Sequence, residues 1–243
     1  MSNIGAGLVS ITYRALPPDE IVRLAVAAGL QGIEWGGDVH VPTVAAAREV
    51  RKLTEDAGLS VAAYGSYWRA KGPFEETAEI AATLGAPTVR VWAGSKGTEA
   101  SDEAHREQIV LALREACRIA SATVSLEFHG GTLTDTLDST VRLVQEIDHP
   151  ALRLYWQPVP DRPHTERLEE LKAVLPHLTN LHVFQWTKPE AVILRHPLAE
   201  GEAEWPDYLR AAEGDRFALL EFVPNDDPNL LSREATTLRR WLA

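Results

Sequence analysis

The feature that most constrains this 243-residue chain is a unit repeated eight times, a short β-rich run followed by an amphipathic helix. LVSITYR precedes PPDEIVRLAVAAG, GIEWGGD precedes TVAAAREVRKLTEDAG, and SVAAYGSYW precedes FEETAEIAATLG. TVRVWAG leads to SDEAHREQIVLALREACRIAS, VSLEFHGG to LDSTVRLVQEID, and LRLYWQP to HTERLEELKAVLPH. LHVFQW, a long loop and WPDYLRAAEG make the seventh pair; FALLEFV and LLSREATTLRRWLA make the eighth. Prolines open the first helix and glycines close several, the usual asymmetry of helix ends. Such alternation implies parallel strands joined by right-handed crossovers. Eight pairs without a linker-like tract predict one α/β domain over residues 1–243, a closed (β/α)8 barrel. The rival is an open doubly wound sheet, which would carry a phosphate-binding GxGxxG after its first strand. The Gly pair in GAGLVS, residues 5–10, is read as preceding that strand and does not supply it.

Apolar residues at 45% allow a substantial core, and a net charge of −11 disfavours nucleic acid, whose phosphates are bound by Lys and Arg. The single cysteine, Cys117, excludes an internal disulfide and a thiolate zinc cluster; its helical context predicts a buried thiol. The opening MSNIGAGLVS lacks the marks of a signal peptide, and no apolar run reaches the roughly 20 residues that cross a bilayer. A soluble, cytoplasmic protein without membrane partners is expected.

A barrel of this kind does its chemistry at the C-terminal ends of its strands. Acids and imidazoles collect there. Glu34 lies in GIEWGGD, with Asp38 and His40 just beyond; Glu127 and His129 end the fifth strand. Gln157 ends the sixth, His182 lies on the seventh and Glu221 on the eighth. Side chains two apart on a strand share a face, so Glu127 and His129 point the same way. Buried carboxylates without partners cost several kcal/mol, roughly 2–7 for even a neutral polar group. A divalent cation (Mn²⁺, Mg²⁺, Co²⁺ or Zn²⁺) held by Glu127, Gln157, His182 and Glu221 would offset that cost. The plainer alternative satisfies these groups with Arg90 or with backbone.

With these residues placed, the chain resembles the sugar isomerase/epimerase superfamily of xylose isomerase-like TIM barrels, which also includes endonuclease IV-type enzymes. AGLQGIEWGGDVHVP, AGLSVAAYGSYWR, LEFHGGTLTDT, LYWQP, LHVFQW and LAEGEAEWPDYL carry the resemblance in their order and spacing. It implies a metal held by Glu127, His182 and Glu221, with Gln157 where an Asp is usual. It further implies that Glu127 and Glu221 serve as acid and base on opposite faces of a sugar or sugar derivative. The expected reaction is proton abstraction beside a carbonyl through an enediolate, ending in isomerisation or epimerisation. Oligomers are common among such barrels, so a homo-oligomer is implied.

Further substrate contacts are expected from Glu34, Asp38, His40, Trp68, Arg69, His129 and Trp186. Asp38 in GGD is equally an ordinary turn residue, and His129 equally a histidine packed under a loop. Alternation sends Trp35 and Trp156 toward the helices. Arg14, Arg69, Lys71, Lys96, Lys188 and Arg195 fall near the mouth without clustering, so a phosphate on the substrate is not indicated. An endonuclease IV-like trinuclear site needs more ligands than eight His allow, since His105, His149, His164 and His177 lie in or beside helices. A non-catalytic sugar-binding barrel, with Gln157 marking a lost metal site, is the other alternative.

Overall fold

In the computed structural model, which describes residues 4–159 and 162–243, the eight β-rich runs close into a parallel barrel. The strands are β1 (Ile4–Val9), β2 (Gly32–Gly36), β3 (Ser60–Gly65) and β4 (Thr88–Val91), then β5 (Thr123–Glu127), β6 (Leu152–Trp156), β7 (Leu178–Val183) and β8 (Arg216–Leu220). Each pairs with its chain neighbours, and β1 closes the ring on β8 through Ile4–Arg216 to Leu8–Leu220. Helices α1 (Pro18–Ala27), α2 (Val44–Asp56), α3 (Glu75–Leu84), α4 (Glu103–Ile119), α5 (Leu137–Ile147), α6 (His164–Val174), α7 (Trp205–Ala211) and α8 (Leu231–Leu242) follow the strands in turn. Among the described residues no helix is long and apolar enough to cross a membrane.

Local chemistry sets the helix ends. Thr43, Asp102 and Thr136 accept backbone N–H groups of the first turns of α2, α4 and α5 through their side chains. Gly85 ends α3 at φ 77°, where an L side chain would be strained. Cys117 is buried in α4.

Two local readings change. The first strand begins at Ile4, so Gly5 and Gly7 lie within it, and residues 10–13 form a 3-10 turn. Space explains the glycine: a Cβ on Gly7 would sit 2.6 Å from the Leu219 side chain and 2.7 Å from the Gly32 carbonyl. LHVFQW is likewise not one strand. β7 stops at Val183, and Trp186–Thr187 pairs instead with Leu194–Arg195 in a small antiparallel ribbon.

Alternation along the strands sorts the side chains. Trp35 and Trp156 face outward and are fully buried under helices; Trp35 Nε1 donates to Thr54 Oγ1 on α2, and Trp156 packs on Tyr208 of α7 at 5.1 Å. Their neighbours in sequence, Glu34 and Gln157, are thereby turned inward. A polar cluster can therefore lie inside an otherwise apolar barrel.

Candidate active site

Strands β2, β4, β5, β7 and the end of β8 deliver Glu34, Arg90, Glu127, His182 and Glu221 to one place inside the barrel mouth, all buried. Ligand atoms of Glu127, His182 and Glu221 lie within 4.8 Å of one another. Three carboxylates thus meet a single guanidinium. Arg90 Nε donates to Glu34 Oε1 at 3.1 Å, and its Nη1 lies 3.1 Å from Glu127 Oε2. Trp92 Nε1 also donates to Glu127 Oε2, and Gln157 Nε2 donates to Glu127 Oε1 at 3.0 Å. Glu221 is different: its nearest charged neighbour is His182 Nδ1 at 3.6 Å.

These partners fix the charges. Burial raises the Glu127 carboxyl, but Arg90 and His182 outweigh it and hold the group well below its ordinary value. Glu34 is lowered in the same way, burial being outweighed by His182 and Arg90. For Glu221, burial, reinforced by Glu127, outweighs the opposing pull of His182 and Arg90 and pushes it up to about 7. For His182, burial alone would lower the imidazole; Glu221 and Glu34 prevail and hold it well above its ordinary value. Surplus negative charge therefore draws a cation to the His182 ring.

The imidazole is oriented for one. A carboxylate only accepts, so His182 Nε2 donates its hydrogen to Glu34 Oε2 across 3.2 Å. That leaves Nδ1 facing Glu127 at 3.5 Å and Glu221 at 3.6 Å, buried and without a hydrogen-bond partner. Gln157 presents a second buried atom of this kind, Oε1, while its amide nitrogen is committed to Glu127 and to the Phe128 carbonyl at 2.6 Å. Two carboxylates, a ring nitrogen that can exchange its proton for an ion and an amide oxygen are hard and borderline donors that suit a divalent ion. The residues present fit a metal. Glu34 stands behind them as a positioning residue, orienting His182 rather than adding a ligand.

The other expected site residues divide. His129 reaches the mouth, its ring 4.7 Å from that of Trp92, and Nδ1 donates to the Gly130 carbonyl at 2.7 Å. Arg69 lies over the Trp92 ring at 3.7 Å. Asp38 is exposed and paired with Arg14. His40 packs on Trp35 at 6.0 Å and bonds Ser10 Oγ at 2.9 Å, on the outward side with that indole. Trp68 rests on Phe74 at 4.7 Å, with Nε1 donating to the Gly72 carbonyl at 3.3 Å. Trp186 stacks on Phe184 at 3.9 Å beside Phe222, over the end of β8.

Sequence reasoning offered Arg90 only as the alternative partner of the acids, and it did not pair Trp92 with Glu127. The alternation of TVRVWAG places both on the inward face, and this signal was available. Tyr155, also inward, packs edge-on to His182 at 5.1 Å and accepts from Asn180 Nδ2 at 2.6 Å.

Residues 22–240 match the family described as xylose isomerase-like TIM barrel. A 3-dehydroshikimate dehydratase of Bacillus anthracis is 25% identical over 265 aligned positions, covering 95% of this chain and 94% of that one. The crystal structure of the probable 3-DHS dehydratase AsbF from the same organism superposes with a TM-score of 0.79 at 24% identity, over 97% of this chain and 99% of that one. D-Psicose 3-epimerase of Clostridium cellulolyticum H10, solved with D-tagatose, gives 0.74 at 13% identity over 98% and 99%. A family match over this span, on a barrel of this topology, means that the chain belongs to the xylose isomerase-like TIM barrel family.

Proposed function

We propose that the protein is a divalent-metal-dependent enzyme that removes a proton beside the carbonyl of a small hydroxylated ketone. The observation that carries this reading is the unpartnered His182 Nδ1, aimed between Glu127 and Glu221 inside a site with surplus negative charge. Glu127, His182, Glu221 and Gln157 Oε1 would hold the ion, which would polarise the substrate carbonyl as a Lewis acid. Glu127 is the anchor of the two expected acid/base glutamates: its donors keep it ionised. Glu221, pushed up to about 7, is the glutamate able to exchange a proton near neutrality. His129, at the mouth beside Trp92, is placed to bond the substrate.

The fate of the deprotonated substrate decides the reaction class. Return of the proton gives isomerisation or epimerisation; loss of a hydroxyl from the next carbon gives dehydration. We favour dehydration, because the full-length resemblance at 25% identity is to a dehydratase. Epimerisation is the second reading, supported by the epimerase barrel. The test is to incubate Mn²⁺-loaded protein in D₂O with 3-dehydroshikimate and, separately, with a ketohexose panel. Dehydration converts the first into a dihydroxybenzoate. Epimerisation instead puts deuterium into a ketose with inversion. Neither product, and no exchange, would remove the reading.

A further inference from the structure

We infer that Arg69 is a specificity-determining residue that selects substrates bearing a carboxylate; this rests on the hydroxyketone reading above. Arg69 follows β3 at the C-terminal mouth and is half-buried. Its guanidinium carbon lies 3.7 Å over the centroid of Trp92, the same indole that donates to Glu127. Arg69 therefore sits one ring away from the Glu127–His182–Glu221 cluster.

Three other mouth arginines are already neutralised: Arg14 by Asp38, Arg90 by Glu34 and Glu127, Arg195 by Asp226. Among the described residues, no carboxylate lies within ion-pair distance of Arg69, and none of its nitrogens has a hydrogen-bond partner. Burial lowers its affinity for its own proton despite the opposing pull of Glu127, which acts across the Trp92 ring rather than in a direct pair. A guanidinium this close over an indole can stack on it and leave its N–H edges free, where a carboxylate can be gripped by two parallel bonds.

The backbone holds it there. The next residue, Ala70, is buried in the left-handed conformation at φ 54°. Trp92 N donates to the Trp68 carbonyl at 3.1 Å, and the Tyr67 ring meets Trp92 edge-on at 5.4 Å. Strain of this kind persists only where surrounding contacts over-determine it, and it concentrates at ligand clamps. A lone guanidinium without a glycine-rich cradle suits a singly charged carboxylate better than a phosphate.

The test compares wild type, Arg69→Gln and Arg69→Lys, each Mn²⁺-loaded and full length. The first readout is the ratio of kcat/KM for 3-dehydroshikimate to that for its methyl ester. Charged hydrogen bonds of this type correspond to roughly tenfold to hundredfold in affinity, so the ratio should fall by that factor in Arg69→Gln through KM. Arg69→Lys should retain part of it. An unchanged ratio, or equal losses on acid and ester, would overturn the inference. The second readout keeps the test independent of turnover: tryptophan fluorescence on titration with 3,4-dihydroxybenzoate and with its methyl ester. Wild type should bind the acid more tightly and Arg69→Gln should lose that preference. Equal binding of both by wild type would overturn the inference. Absence of turnover alone would count against the proposed reaction, not against Arg69.

Discussion

The two ends of the barrel interior solve the same problem differently. At the floor, three neutral hydroxyls are used up in a chain of hydrogen bonds. Thr88 and Ser125 hydroxyls meet at 2.7 Å, Ser125 meets Thr179 at 3.0 Å, and Thr179 donates to the Leu154 carbonyl at 2.9 Å. At the mouth the groups are charged, and the pairing is left incomplete. Arg90 serves Glu34 and Glu127, while His182 Nδ1 and Gln157 Oε1 are buried without partners. Satisfied polar groups hold a barrel together; an unsatisfied, over-acidic set asks for a ligand.

Replacing His182 by Ala tests the mouth hardest. Loss of a ligand that supports several kcal/mol of transition-state stabilisation should lower turnover by about a thousandfold. Steady-state kinetics with added Mn²⁺ would check this, and near-normal rates would erase the contrast. Arg90→Met comes next. Breaking a buried pair strands Glu34 and Glu127, at a cost of roughly 3–5 kcal/mol in urea unfolding. Added Mn²⁺ should stabilise this variant by more than it stabilises wild type or a floor variant, because the acids are no longer neutralised by Arg90.

Acidity gives a third test. Glu221 is pushed up to about 7, so below that pH a proton competes with the ion. Apparent Mn²⁺ affinity should therefore fall by at least about tenfold per pH unit on acidification, since His182 and, below about pH 7, Glu221 must each give up a proton to the ion. A flat calorimetric profile from about pH 7 down to about pH 5 would separate Glu221 from the ion. Gln157→Glu adds a negative charge beside Glu127. It should tighten Mn²⁺ by about tenfold and destabilise the ion-free protein, since repulsion replaces the present amide bonds. At the floor, Thr88→Val should cost only about 1 kcal/mol and leave turnover alone.

The period of the sequence made much of this architecture legible. Alternating strand and helix patterns led to a closed barrel, and alternation within strands turned Glu34, Glu127 and His182 inward and Trp35 and Trp156 outward. What it could not reveal were contacts made by closure. Glycines 5 and 7 read as preceding the strand because Leu219, the group that crowds Gly7, is more than two hundred residues away in sequence. Trp186 looked like a continuation of β7 because the ribbon to Leu194–Arg195 depends on a long loop folding back. The acids had two readings in sequence, a metal cage or a private pairing with Arg90. The structure shows the pairing for two of them: Arg90 takes Glu34 and Glu127, and Glu221 and the His182 nitrogen are left over.

Calorimetric titration of chelator-treated protein with Mn²⁺ tests the central claim most directly. One ion should bind per chain with proton release, and His182→Ala should abolish the binding. No binding by wild type, or binding that survives His182→Ala undiminished, would contradict the account.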